Sequence, residues 1–201
     1  SLLREIEQRA PFFQGKGPKS IFFGGGTPSL LRPDLLERIL KALQHYFHWD
    51  QTTEITLETN PKTVDLAKLK AFRSLGINRI SLGVQSFQDK FLQAMGRIHS
   101  GEEARQVVAD ARAAGFENVS IDLIFSLPGE TLPEWQSDLE MALRLETDHL
   151  SCYALTIEPG TPFEKLYVQG KLFLPEEEES VRQLTWTRER LAEAGLPPYE
   201  I

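Results

Sequence analysis

Four polar residues stand at or near the ends of short apolar runs. Glu58 follows Ile55-Thr56-Leu57, Gln85 follows Gly83-Val84, Asp122 sits between Ile121 and Leu123, and Thr156 follows Ala154-Leu155. Two carboxylates, an amide and a hydroxyl are the kind of groups that grip a small polar molecule. A further feature joins them, because the run Ile21-Phe22-Phe23 stops in Gly24-Gly25-Gly26-Thr27-Pro28-Ser29. Without Cβ atoms these glycines reach backbone angles closed to other residues and let a ligand approach the main chain. Thr27 adds a hydroxyl beside the amides, and Pro28 fixes the exit of the turn. The spacing is neither G-x-G-x-x-G nor a phosphate loop with its Gly-Lys-Ser/Thr, so the usual nucleotide readings fail.

The elements between these residues decide whether they meet. Helical and strand patterns alternate along the chain. Strand patterns cover 19–23, 54–59, 79–84, 119–125 and 149–156. Between them run a helix from Pro33 to Phe47, one through Leu66, Leu69 and Phe72 capped by Thr63 and ended by Gly76, and a short one over 89–95. Ser100-Gly101-Glu102-Glu103 forms a capping box for a helix ended by Gly115, and Thr131-Leu132-Pro133-Glu134 caps another. The acidic run Glu176 to Glu179 reads as the first turn of a last helix, favoured there by the macrodipole and ended at Gly195. Such alternation predicts a parallel sheet, doubly wound or curled into a barrel, with no domain boundary inside it. All carboxyl ends of a parallel sheet lie on one edge. Glu58, Gln85, Asp122 and Thr156 are therefore expected to converge with Gly24 to Thr27 on one rim. Each also has a plainer alternative: Glu58 capping the turn at Asn60-Pro61, Gln85 solvated, Asp122 bonding amides around Gly129.

With 201 residues, 41% hydrophobic and 25% charged, the composition is that of a soluble globular domain. The net charge of −7 and the lack of a basic stripe argue against nucleic acid or an anionic membrane as partner. No apolar run is long enough to span a bilayer, and the first residues do not read as a signal peptide. The single cysteine, Cys152, excludes an internal disulfide framework and fits a reducing, cytoplasmic setting. It lies within a strand pattern, where a cysteine is usually a small core residue. His45, His48 and His149 read as surface or helix-end residues, whereas His99 in Gly96-Arg97-Ile98-His99 stands out. No H-E-x-x-H, cysteine pair or nucleophile elbow occurs, so neither a hydrolase triad nor a metal site is expected from these residues. Ser1 enters directly into a helical pattern and Tyr199-Glu200-Ile201 reads as the start of a strand, as in a segment cut from a longer protein.

The string Gly24-Gly25-Gly26-Thr27-Pro28-Ser29 combines with Gly83-Val84-Gln85-Ser86-Phe87, Gly96-Arg97-Ile98-His99 and Asp122-Leu123-Ile124-Phe125-Ser126-Leu127-Pro128-Gly129-Glu130-Thr131. Together they resemble the radical S-adenosylmethionine (SAM) proteins of the oxygen-independent coproporphyrinogen III oxidase family. Leu155-Thr156-Ile157-Glu158-Pro159-Gly160-Thr161 and Arg97-Ile98-His99 are more similar to its HemW, haem-chaperone branch than to its HemN, oxidase branch.

The resemblance implies a partial (β/α) barrel with parallel strands that binds SAM at its carboxyl rim, with residues 1–201 forming an incomplete core domain. It implies that Gly25, Gly26 and Thr27 contact the methionine moiety and that Glu58, Gln85, Arg97, Asp122 and Thr156 are the other cofactor-binding positions. Arg97 enters through the resemblance alone. The family's [4Fe-4S] cluster sits on a C-x3-C-x2-C loop after its first strand. Nothing in this sequence replaces that loop, so its cysteines would precede Ser1, and the family's C-terminal region would follow Ile201. For the intact protein the resemblance implies haem or another tetrapyrrole as cargo, delivery to respiratory haem proteins, and His99 as a candidate axial ligand. The alternatives are oxidative decarboxylation of coproporphyrinogen III and a barrel segment with no activity of its own.

Overall fold

The structure, a computed structural model, describes residues 2–13 and 17–200. Five parallel strands form one sheet in the order β1-β2-β3-β4-β5: Ser20–Phe23, Glu54–Thr59, Arg79–Gln85, Asn118–Phe125 and His149–Ala154. The helices are α1 (Leu2–Arg9), α2 (Pro33–Tyr46), α3 (Leu66–Ser74), α4 (Asp89–Ala94), α5 (Gly101–Ala113), α6 (Leu132–Arg144), α7 (Pro162–Val168) and α8 (Glu177–Glu193). The chain divides into two compact units, Ser1–Gly83 with Gln106–Val119, and Val84–Arg105 with Ser120–Ile201.

In the first unit the strand register separates two chemically different faces. Ile21↔Ile55, Phe23↔Leu57 and Leu57↔Ile80 fall on one face, and Phe22↔Thr56, Thr56↔Arg79 and Glu58↔Ser81 on the other. The apolar face is the one the helices cover: Phe23 packs with Ile6 of α1, Ala10 in the 3-10 turn that follows it, and Ile39 of α2. The second unit repeats the division. Ile121, Leu123 and Phe125 lie on one face, the last with its ring 5.4 Å from Trp135 of α6, while Ser120↔His149, Asp122↔Ser151 and Ile124↔Tyr153 share the other. Parallel strands covered on both faces read as continuous apolar runs. Strands with one polar face, all of it on the side away from the helices, are instead those of a barrel wall. The second unit is tied internally by Trp135 Nε1–H donating to Thr187 Oγ1 at 2.6 Å and by the Arg190–Glu140 pair between α8 and α6.

Most expected elements appear within a residue or two, and the departures have local causes. The cap of α3 is Asp65, whose Oδ1 accepts the Lys68 N–H at 2.7 Å. Thr63 instead closes a short 3-10 turn, Pro61–Thr63, in a reciprocal box with Asn60. β5 stops at Ala154, two residues before Thr156. One further bond, Leu155 N–H to Phe125 C=O at 2.9 Å, precedes the turn toward α7. Tyr199 and Glu200 form no strand, and Ile201 lies outside the described residues. The capping boxes at Ser100 and Thr131 form as expected, each Glu accepting the cap residue's N–H, at 2.9 and 2.8 Å. Glu177 to Glu179 occupy the first turn of α8. No helix among the described residues is long and apolar enough to cross a membrane.

Candidate functional site

In the first unit the glycine turn is shaped by the residue at the end of β2. Glu58 Oε2 accepts the Gly25 N–H at 3.1 Å. Gly24 makes room for this contact, since a Cβ there would lie 2.6 Å from the Phe22 ring and 3.1 Å from the Glu58 carboxyl carbon. Gly25 and Gly26 have φ of 77° and 60°, angles that favour glycine, and a Cβ on either would meet nothing within 4 Å. The turn thus offers main chain on an open side. Thr27 is half-buried and its side chain caps nothing. Behind it Ser29 is fully buried, its Oγ 2.6 Å from Thr63 Oγ1, and Lys68 Nζ donates to the Ser29 carbonyl at 2.6 Å. These two anchors were not evident beforehand, because Thr63 and Lys68 belong to a different stretch of ordinary polar sequence.

In the second unit, two strands end in residues other than glycine with left-handed backbone: Gln85 on β3 (φ 71°) and Ser126 just after β4 (φ 59°). Gln85 is buried rather than solvated. Arg97 follows the left-handed Gly96 and is exposed, yet the atoms around its guanidinium desolvate it enough to lower its pKa. No described carboxylate pairs with it. His99 is buried with Nε2 3.0 Å from the Val84 carbonyl, which brings the Arg97 segment to the end of β3 beside Gln85. A ring held in this way is a structural link and does not fit the role of open axial ligand. Asp122 is half-buried on the polar face opposite Ser151, and Thr156 is exposed beyond the strand end.

Three buried polar residues of this unit were missed by sequence reasoning, namely Glu130, Asp138 and Gln183. Gln183 Oε1 accepts the Ser126 N–H at 3.0 Å. Glu130 Oε2 accepts the Leu127 N–H at 3.2 Å, and burial, with Asp138 and Glu134 nearby, pushes its carboxyl up to about 8. Asp138 is likewise raised by burial, against the pull of donors from Ser86, Gln88 and Phe87. An inward carboxylate on a helix carries no local sequence signal. The turn residues Pro128-Gly129 directly after the apolar run that ends at Phe125 are the hint that was available.

A cavity of about 770 Å³ in the same unit is lined by Phe125, Cys152, Tyr153, Leu184, Leu191 and Tyr199, among others, and none of Gln85, Arg97, Asp122 or Thr156 lines it. Burial, and secondarily the Asp122 charge, push the Cys152 thiol up to about 12. A protonated thiol is not a metal ligand. Among the described residues no group of His, Cys, Asp and Glu is arranged to hold a metal ion. These residues do not fit an iron–sulfur cluster. The first unit offers an open main chain at Gly26 and the carboxylate of Glu58, groups that suit a small polar ligand, and the second unit offers the exposed cation of Arg97.

A parallel sheet of this kind with a glycine turn at a carboxyl end defines a class, and comparison identifies it. The chain belongs to the radical SAM superfamily, whose family model matches residues 2–142. The superfamily's cofactors are SAM and a [4Fe-4S] cluster. Among curated relatives, the chain is 43% identical to the haem chaperone HemW of Synechocystis sp., over 94% of this chain and 46% of that protein. It is 38% identical to the mitochondrial radical S-adenosyl methionine domain-containing protein 1 of Danio rerio, over 100% of this chain and 45% of that one. Among solved structures, coproporphyrinogen III oxidase (HemN) from Escherichia coli superimposes with a TM-score of 0.83 at 30% identity, over 96% of this chain and 44% of that one. The chain spans about half the length of the curated relatives it matches.

Proposed function

We propose that this chain forms the SAM-binding wall of a HemW-type haem chaperone. The observation that carries the reading is the Gly25–Glu58 hydrogen bond, which fixes an open, left-handed glycine turn at the carboxyl end of the first strand. SAM is an amino acid joined to a nucleoside. Gly25, Gly26 and Thr27 would meet its methionine end, with Glu58 accepting from the ammonium group and Arg97 balancing the carboxylate. Gln85, Asp122 and Thr156 supply an amide, a carboxylate and a hydroxyl for the ribose and base. When bound beside a reduced cluster, SAM supplies the capacity to abstract a hydrogen atom. The cluster thiolates we assign to the part of the longer relatives that this sequence does not span, with residues 1–201 as the core domain. We further propose a cytoplasmic location, haem as cargo and respiratory haem proteins as its recipients. The HemW names among its relatives support the haem reading.

Two measurements on the intact protein, reconstituted anaerobically with iron and sulfide, test this. Haem should bind saturably, and coproporphyrinogen III with SAM and a reductant should not be converted to protoporphyrinogen. Conversion at enzymatic rates without saturable haem binding would assign the protein to the oxidase branch. Separately, Glu58→Ala and Asp122→Ala should each weaken SAM binding about tenfold or more, since a hydrogen bond to a charged group is worth about 1.5–3 kcal/mol. Unchanged calorimetric affinity in both variants, with the fold intact, would place the cofactor elsewhere.

A further inference from the structure

The turn after β3 is built around a strained residue. The Ser86 N–H donates to the Val84 carbonyl at 3.0 Å, closing a ring around Gln85 at a φ of 71°. This is the rare form of the γ-turn, and a residue with a side chain stays in it only where its surroundings over-determine it. On one side His99 Nε2 lies 3.0 Å from the same Val84 carbonyl. On the other stands Asp138 of α6, which is 1% exposed. Its Oδ2 accepts the Ser86 hydroxyl at 2.5 Å, and its Oδ1 accepts the Phe87 N–H and the Gln88 side-chain amide, each at 3.2 Å. The Ser86 hydroxyl oxygen accepts the Gln88 N–H at 3.0 Å, and the Gln88 amide also donates to the Glu134 carbonyl at 2.9 Å. One buried carboxylate thus grips three consecutive residues that begin immediately after Gln85. Burying a carboxylate costs more than burying an apolar side chain of similar size, so this arrangement serves geometry more than core stability.

We propose that Asp138 is a positioning residue whose grip on Ser86, Phe87 and Gln88 holds Gln85 in its strained turn and presents the Gln85 amide to the cofactor. The proposal rests on the reading of Gln85 as a SAM-binding residue. It is tested by calorimetric titration of the intact, cluster-loaded protein with SAM, as wild type, Gln85→Ala, Asp138→Ala and the double variant. Asp138→Asn stands in if the alanine variant does not fold, because it keeps the Oδ1 acceptor and loses the Ser86 acceptor. Each single change should weaken binding about tenfold. The double variant should bind no more weakly than the weaker single variant, because Asp138 acts through Gln85. A purely structural Asp138 would give effects that add, and additive losses overturn the proposal. Normal affinity in the Asp138 variant beside a weakened Gln85→Ala also overturns it. Normal affinity in Gln85→Ala removes Gln85 from the cofactor site, and the role of Asp138 falls with it.

Discussion

Replacing Gly101 with alanine will cost about 3 kcal/mol or more of stability and abolish SAM binding. A Cβ at Gly101 would lie 1.9 Å from the Phe87 carbonyl oxygen, 2.7 Å from its carbon and 3.2 Å from its Cα. All three are backbone atoms, so no side-chain rotation relieves the overlap. The Gly101 N–H is also fixed, donating to Asp89 Oδ1 at 2.8 Å. The chain between these two contact points carries α4, Arg97 and His99, and separating Phe87 from Gly101 displaces that whole excursion. Gly96 makes an instructive control. Its φ is 67° and a Cβ there meets nothing within 4 Å, so Gly96→Ala should cost only about 1–2 kcal/mol of left-handed strain. Urea denaturation of both variants checks the ranking. A Gly101→Ala protein as stable as the Gly96→Ala protein would mean the α4 excursion yields far more readily than close backbone packing allows.

Glu130→Gln will remove a pH dependence of stability. In the folded protein the Glu130 carboxyl is raised to about 8, from an ordinary value of 4.5. Above pH 4.5 the unfolded chain gives up this proton while the folded protein keeps it, so stability falls as pH rises, until the folded group also ionises near pH 8. Each unit of difference corresponds to about 1.4 kcal/mol, which puts the loss across the window on the order of 5 kcal/mol. Glutamine keeps an acceptor for the Leu127 N–H and has no proton to lose. The wild-type denaturation midpoint should therefore drop between pH 5 and pH 8 more steeply than that of the variant, which keeps only the decline due to the buried Asp138. Parallel declines in both proteins would assign the slope to other groups. The result bears on the site, because Glu130 and Gln183 together fix the turn that leaves β4.

Features set by neighbouring residues were legible in the sequence. The boxes at Ser100 and Thr131 need residues only three positions apart, and both form. The glycine turn and the strand ends at Glu58 and Gln85 were readable for the same reason. The cap at Asp65 was assigned to Thr63 because both residues can cap, and the choice depends on Asn60 drawing Thr63 into its own turn. Asp122 stands between Ile121 and Leu123 in sequence, and the register turns it to the face opposite theirs, beside Ser151. What could not be read is which polar helix residues point inward. Asp138 and Gln183 are indistinguishable in sequence from their solvated neighbours on α6 and α8, and only the packing of those helices turns them toward β3 and β4. His99 illustrates the converse, since a histidine conspicuous in sequence serves to fasten a loop.

The state of Cys152 sets how the protein meets oxidants and alkylating reagents. Raising a thiol from 9 to about 12 lowers the fraction present as thiolate at neutral pH by about a thousandfold. Thiolate is the form that reacts with peroxide, iodoacetamide or a disulfide. The folded chain is accordingly almost inert to them, whereas the unfolded chain exposes an ordinary cysteine. Any labelling at this position counts molecules that have opened.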